Sequence, residues 1–272
     1  MKILNGAELA SYITERQARQ VRALRQAHGV HPHLALIVTT DDPVVSRYVS
    51  LKQAYGEDIL VDVTVLRVAQ SEVAETITQL NEDEAVHGIV LQLPLEDPSQ
   101  TDELVALIAP EKDVDGLGPD ARYPSATAIA IDWLLAGYNV DLKHASIAIV
   151  GQGRLVGKPL AALWETTGYD VSVYDDTTED LQTALRGAQV IVTATGKPGL
   201  ITEHMLQPSA VVVDAGTASE NGKIVGDVAD TVREMRDDLT ITPVKGGVGP
   251  LTIVALFDAV IQAATAVADT TD

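Results

Sequence analysis

Short aliphatic runs alternate with amphipathic stretches along most of this chain, and that alternation leaves few folds open to it. Leu34-Ala35-Leu36-Ile37-Val38 is wholly apolar and ends in Thr39-Thr40-Asp41-Asp42-Pro43, a buried strand followed by a turn. His87–Leu93, closed by Pro94, has the same character, as do Ala145–Val150, Val171–Tyr174, Val190–Thr193 and Val211–Asp214. Leu60–Val68 alternates and reads as a strand. Between these runs the period changes. Ala7–His28 places Leu9, Ile13, Val21 and Leu24 on one face, and Val45–Tyr55, Glu72–Asn81, Thr101–Ile108 and Val156–Thr167 also read as helices. Strands that alternate with helices predict an α/β fold with a parallel, doubly wound sheet. Near the end, Ile253, Leu256, Phe257, Val260, Ile261 and Ala264 share one helical face. Glu220-Asn221-Gly222 reads as a hairpin turn. Gly, Pro and polar residues cluster over Gly118–Pro124 and suggest a domain boundary, with one large continuous sheet as the alternative.

A chain of 272 residues suffices for one large domain or two modest ones. Aromatic residues make up only 4%, so the core must come from Val, Ile, Leu and Ala. The absence of cysteine excludes disulfides, thiolate metal sites and a Cys nucleophile. A net charge of −20 opposes non-specific nucleic-acid binding. Met1–Asn5 leads straight into an amphipathic pattern, with no signal-peptide character. No apolar run reads as long enough to span a bilayer. The expectation is a cytoplasmic protein with neither a membrane nor a nucleic-acid partner. His31 and His33 have ligand-like spacing, but they flank Pro32 without an acid cluster, and no metal is expected there.

Gly151-Gln152-Gly153-Arg154-Leu155-Val156-Gly157 follows a predicted strand and opens a predicted helix. In such a turn Gly151 permits the tight bend, Gly153 lets a pyrophosphate approach the backbone, and Gly157 lets the helix pack closely on the sheet. The helix N-terminus then offers N–H groups to phosphate oxygens. This context favours dinucleotide binding over an ordinary glycine turn. The following strand ends at Tyr174-Asp175-Asp176. An acid there accepts hydrogen bonds from the adenosine ribose and repels a 2′-phosphate, which predicts NAD over NADP. A solvated strand end is the alternative. Thr195-Gly196-Lys197-Pro198-Gly199 either lines the same cleft or is a simple turn.

Tyr48 and Lys52 are four residues apart on a predicted helix and share a face. A tyrosine can stack on a flat ring. A desolvated lysine has a lowered pKa and can move protons near neutrality. An exposed helix face is the alternative for such a pair. Gln92 closes an apolar strand, where an unpartnered amide would cost about 1–3 kcal/mol. It is therefore either a neighbour of Lys52 or a satisfied core residue. Lys112-Asp113-Val114-Asp115-Gly116 carries two carboxylates around one valine. In an extended segment Asp113 and Asp115 would point the same way and could hydrogen-bond a polar heterocycle. A solvated loop is the other reading.

These stretches occur together and in order. To them are added Gly88-Ile89-Val90-Leu91-Gln92-Leu93-Pro94-Leu95, Val156-Gly157-Lys158-Pro159, Gly196-Lys197-Pro198-Gly199, Gly226-Asp227-Val228 and Thr242-Pro243-Val244-Lys245-Gly246-Gly247-Val248-Gly249-Pro250. Over nearly its whole length the chain resembles the bifunctional methylenetetrahydrofolate dehydrogenase/methenyltetrahydrofolate cyclohydrolase family. That resemblance implies two α/β lobes with a folate cleft between them. Residues 1–120 and 251–272 would form a folate-binding catalytic domain completed by the C-terminal helix, and 121–250 a Rossmann-type dinucleotide-binding domain. It implies a nicotinamide dinucleotide as cofactor, which Asp175 and Asp176 make NAD with NADP possible, a tetrahydrofolate derivative as substrate, and a homodimer. It makes Lys52 the acid/base residue, tuned by Gln92, with Asp115 binding the pterin and Tyr48 stacking on the folate. Gly247, Pro250 and Thr252 would contact substrate. Gly151, Gln152, Gly153, Arg154, Val156, Gly157, Asp175, Asp176, Thr195, Gly196 and Thr217 would contact the dinucleotide.

The chain also departs from the family pattern. Ala126-Thr127-Ala128-Ile129-Ala130 stands where Cys-Thr-Pro-x-Gly is usual, and Gly153 replaces a serine. Leu117-Gly118-Pro119 replaces an aromatic followed by His-Pro, and Lys245 replaces a proline. Asp175 and Asp176 stand where NADP-using members often carry His or Ser and Arg. None of these changes touches Lys52, Gln92 or Asp115. They keep a rival in view, a non-enzymatic folate- or dinucleotide-binding protein on the same scaffold.

Overall fold

The structure is a computed structural model that describes residues 1–220 and 223–271. Asn221 and Gly222 of the expected hairpin turn lie outside the described residues. In chain order the first half holds β1 (Lys2–Ile3), α1 (Gly6–His28), β2 (His33–Val38), α2 (Pro43–Ile59), β3 (Asp62–Arg67), α3 (Val73–Glu82), β4 (Gly88–Leu91) and α4 (Thr101–Val105). Then follow α5 (Ala126–Gly137), β5 (Ser146–Val150), α6 (Gly157–Thr167), β6 (Asp170–Tyr174), α7 (Leu181–Leu185), β7 (Val190–Thr193) and β8 (Val211–Asp214). The chain ends with β9 (Ala218–Glu220), β10 (Lys223–Val225), α8 (Asp230–Met235), β11 (Thr240–Ile241) and α9 (Val248–Thr271).

The chain divides into two compact units. One comprises Met1–Ala10 with Thr127–Thr252, the other Ser11–Ala126 with Ile253–Asp272. The first is built on a six-stranded parallel sheet in the order β1-β11-β8-β7-β5-β6. Strand order steps outward from β5 in both directions, the doubly wound arrangement that puts a crevice at the carboxyl ends of β5 and β7. Its strands read as continuous Val/Ile runs because helices cover both faces of such a sheet. Ile191, Val212, Leu185 and Val232 are fully buried in its core.

The second unit is built on a three-stranded parallel sheet, β3-β2-β4. Ile37, Val73, Ile77 and Ile89 pack at its centre. The part of α9 in this unit buries Val254, Phe257, Val260 and Ala264. Phe257 meets the ring of Tyr55 at 5.0 Å. Gln17, wholly buried, donates to the Val254 carbonyl at 2.9 Å and accepts from the Tyr55 hydroxyl at 2.6 Å. Burial pushes the Tyr55 hydroxyl up to about 12.

Several expected boundaries move for local reasons. The helix expected to end at Tyr55 runs on to Ile59 and stops at Leu60, which is left-handed at φ 67° and donates to Glu57 and Gly56. The strand expected from Leu60 therefore starts at Asp62. The helix expected over Thr101–Ile108 is regular only to Val105, after which Leu107 and Ile108 make tighter i→i+3 bonds. α9 corrects the expectation that no apolar run could span a bilayer. Val248–Thr270 is long and apolar enough by length and composition, but 61% of its most apolar window is buried inside the structure.

Candidate active site

Asp42 caps α2 by accepting from the Val44 and Val45 amides at 2.7 and 3.1 Å, and Pro43 supplies a first-turn residue without an N–H. The buried face of α2 is Val45, Val49, Lys52, Gly56 and Ile59. A lysine thus occupies an apolar stripe, with half-buried Tyr48 one turn earlier. Lys52 Nζ donates to Gln92 Oε1 at 2.8 Å. Gln92 continues β4, its N–H donating to the Ile37 carbonyl at 2.9 Å, and its Nε2 donates to the Leu93 carbonyl at 3.0 Å. With its NH₂ held by that carbonyl, the glutamine presents its oxygen to the lysine.

Burial lowers the Lys52 pKa, and the nearby Asp115 carboxylate acts against this. Burial likewise raises the Asp115 pKa, with Lys52 opposing. In both groups desolvation outweighs mutual attraction. The charged pair and its neutral form, amine beside carboxylic acid, are thereby brought closer in free energy than they would be in water. Such a pair accepts and returns a proton with little electrostatic resistance.

The segment carrying Asp115 is not extended, which corrects the expectation that Asp113 and Asp115 point the same way. Asp113 forms a single bridge with Ile89, and then the chain turns at Gly116, whose φ is +66°. The Asp113 carboxylate accepts from the Gly116 and Gly118 amides at 3.0 and 2.7 Å, so it closes the turn from inside. Lys112 anchors the other side, its Nζ reaching the carbonyls of Leu80, Asn81 and Asp83 at 2.7–2.9 Å. These cap the carboxyl end of α3, where a cation is favourable. Only Asp115 of the two acids is left facing Lys52. An Asp-x-x-Gly spacing is the signal that would have separated the two roles.

In the six-stranded unit the glycine turn sits between β5 and α6. Gly151 has φ +103°, a conformation that side chains resist. A Cβ at Gly157 would lie 1.8 Å from the Gly151 carbonyl oxygen, so only glycine closes this turn. Gly153 is different, since a Cβ there would meet nothing nearer than 4.0 Å. Arg154 and Val156 complete the turn, and no side chain caps α6. Gln152 donates to Asp175 at 2.9 Å, linking the glycine turn to the end of β6. Asp175 also accepts from the Thr177 hydroxyl and amide, which lower its pKa. Asp176 pairs with Lys197. The Thr195-Gly196 turn lies beside the first glycine, a Gly151 Cβ falling 3.2 Å from Thr195 Cγ2, and a Gly196 Cβ would be 3.6 Å from the Thr217 carbonyl. The carboxyl ends of β5, β6, β7 and β8 thus gather the residues expected to meet a dinucleotide. Gly247 directly precedes α9, Pro250 occupies its first turn, and Thr252 bonds back to Val248 at 3.4 Å.

A doubly wound sheet with this turn, in a chain whose other unit carries a desolvated lysine–glutamine–aspartate cluster, defines a two-unit dinucleotide-binding α/β protein. Comparison with known proteins narrows the class. The family model of the tetrahydrofolate dehydrogenase/cyclohydrolase catalytic domain matches residues 4–115, and that of the NAD(P)-binding domain matches 125–268. The chain belongs to the tetrahydrofolate dehydrogenase/cyclohydrolase family. It is 38% identical over 274 residues to the "Bifunctional protein FolD" of Lactobacillus acidophilus, covering 96% of each. Among solved structures it is similar to the bifunctional FolD methylenetetrahydrofolate dehydrogenase/cyclohydrolase of Campylobacter jejuni, at TM-score 0.92 and 33% identity over 98% of this chain and 99% of that one. A Trypanosoma brucei FolD complexed with NADP and an inhibitor superposes at TM-score 0.90 with 27% identity over 97% of each chain.

Proposed function

We propose that this chain is a bifunctional enzyme that oxidises 5,10-methylenetetrahydrofolate to the methenyl form with a nicotinamide dinucleotide and hydrolyses that product to 10-formyltetrahydrofolate. The observation that carries the reading is the Lys52–Gln92–Asp115 cluster, in a chain aligned end to end with bifunctional relatives. In this reading the three-stranded unit holds the folate and the six-stranded unit the dinucleotide.

The dinucleotide, when bound, would supply the acceptor for hydride from the methylene carbon. The turn fits such a group, because its glycines keep the backbone clear of side chains and the uncapped α6 N-terminus favours phosphate. Tyr48 stacks on the pterin, and Asp115 accepts hydrogen bonds from the ring's N–H groups. Lys52 takes a proton from the water that adds to the methenyl carbon and returns one as the ring opens. Gln92 holds the amine in place for both transfers. The substrate contacts of Gly247, Pro250 and Thr252 rest on the resemblance alone.

The preference for NAD rests on Asp175, whose carboxylate is held by Gln152 and Thr177 at the end of β6. We also propose a cytoplasmic location and a homodimer, the second of which sedimentation of the purified protein checks. The decisive assay follows reduced cofactor with methylenetetrahydrofolate, separately with NAD and NADP. Absence of turnover with both would remove the enzyme reading and leave the binding protein in its place.

A further inference from the structure

The chemistry above gives no role to Gly226-Asp227-Val228. Asp227 is 0% exposed and lies among the loops at the carboxyl ends of β7 and β8. Its Oδ2 accepts from the Thr193 hydroxyl at 2.7 Å and from the Thr195 backbone N–H at 2.6 Å. Its Oδ1 has no hydrogen-bond partner among the described residues. A second buried acid supports it. Asp214 accepts from the amides of Asp227, Val228 and Gly216 at 2.9, 3.1 and 3.2 Å. Arg233 stands 3.8 Å from the Asp214 carboxylate and supplies opposite charge. The two carboxylates are seated against glycines. A Cβ at Gly216 would fall 2.1 Å from Asp227 Oδ1, and one at Gly226 would fall 2.1 Å from Asp214 Oδ2.

An acid buried with one oxygen unpartnered is costly, so it is kept for more than filling space. What Asp227 grips is informative. Thr193 ends β7, and Thr195 begins the turn that abuts the first glycine of the phosphate loop. Ionised acceptors make shorter and stronger bonds than neutral ones, and a strong bond to a backbone N–H fixes a turn more rigidly than packing does.

We propose that Asp227 is a positioning residue for the dinucleotide. Through Thr193 and the Thr195 amide it sets the Thr195-Gly196 turn against the glycine loop, and Asp214 holds Asp227 in register. This rests on the six-stranded unit being the dinucleotide site. Asp214 and Asp227 touch neither reacting atoms nor substrate.

The test compares two measurements on each purified, folded variant. The first is the KM for the dinucleotide in the dehydrogenase reaction. The second is hydrolysis of methenyltetrahydrofolate with no dinucleotide present, which reads the Lys52 site. Asp227→Ala should raise the dinucleotide KM by about tenfold or more, the equivalent of losing one to two charge-assisted hydrogen bonds. Asp227→Asn keeps one acceptor oxygen and should fall between Ala and wild type. Hydrolysis should not change in either. Thr193→Val removes a single donor without changing side-chain shape and carries the test if the Asp227 variants do not fold. It should raise the same KM by a smaller factor. A folded Asp227→Asn or Thr193→Val with unaltered dinucleotide KM would overturn the proposal, as would a rise in KM matched by an equal loss of hydrolysis. Wild-type protein that binds no dinucleotide would fail the underlying reading instead, which a direct titration shows before any variant is made.

Discussion

The two units build their proposed sites from different parts of the chain. In the three-stranded unit the proposed working groups are side chains: an amine, an amide and a carboxylate from α2, the end of β4 and the 113–118 turn. In the six-stranded unit the expected ligand-facing surface is mostly backbone, shaped by glycines whose Cβ atoms would collide with carbonyls. A proton carrier needs one group with a tuned pKa, and burial tunes it. A phosphate carrier needs many oriented amides and no bulk. The first kind of site is lost by deleting one head group, the second by adding one methyl.

The largest effect should come from Lys52→Met, which keeps the stem's volume and removes the amine. General acid–base catalysis contributes about 10²–10⁴-fold, so hydrolysis should fall by at least about a hundredfold while dinucleotide titration is unchanged. Unaltered hydration kinetics would remove Lys52 from its role. The same variant exposes the pH linkage. The folded Lys52 pKa lies below 10.5, so between the lowered value and 10.5 the unfolded chain binds more protons and stability rises with pH. Asp115 works in the opposite sense. Its folded pKa lies above 3.8, so stability falls with pH from 3.8 up to the raised value. Denaturant titrations across pH should show the alkaline rise in wild type and not in Lys52→Met. An identical slope in both would mean that the amine is not desolvated.

Gly157→Ala tests the backbone half. The added Cβ would sit 1.8 Å from the Gly151 carbonyl oxygen, and neither backbone can yield cheaply. Overpacking of this kind costs about 1–3 kcal/mol or more, and the expected result is a lower melting temperature together with loss of dinucleotide binding. Hydrolysis, measured below the new transition, should persist. If Gly157→Ala bound dinucleotide normally, the close approach of α6 to the turn would not be what shapes the site.

The two halves were also unequally legible from sequence. The glycine turn was readable because backbone requirements leave a signature in residue type. The strand and helix order was readable because burial on two faces produces Val/Ile runs. Ala126–Gly137 drew no prediction because it is apolar nearly all round and carries no period. β1 and β11 are two residues each and are defined only by partners far along the chain. The Tyr48/Lys52 spacing by itself favours an exposed face, and only the tertiary packing of α2 shows Lys52 buried. Asp113 and Asp115 look alike in sequence, and a positive φ at Gly116 is what divides them. Asp227 was invisible as a bracing group because its partners are 32 and 34 residues away.

Cofactor choice should move less than either disruption. Replacing Asp175 and Asp176 by Ser and Arg removes the acceptor held by Gln152 and Thr177, frees Lys197 from its partner and adds a cation. Cations at this strand end accommodate a 2′-phosphate, so the ratio of kcat/KM for NADP over NAD should rise about tenfold or more. A constant ratio would show that the end of β6 does not read the ribose.

The smallest change should come from Gly153→Ser, which restores the hydroxyl that family members carry in the phosphate loop. Here the backbone site is open, since a Cβ would meet nothing nearer than 4.0 Å, and φ at Gly153 is not positive. Stability should therefore stay within about 0.5 kcal/mol, the range of ordinary surface changes. One new donor near the phosphates should lower the dinucleotide KM modestly, by no more than about tenfold, the worth of a single hydrogen bond. Adjacent glycines in one turn would then respond oppositely to added atoms, with Gly157 intolerant because carbonyl and helix meet there and Gly153 permissive because only ligand does. If Gly153→Ser destabilised the chain as strongly as Gly157→Ala, bulk would be excluded throughout the turn and the ligand-facing gap at Gly153 would not exist.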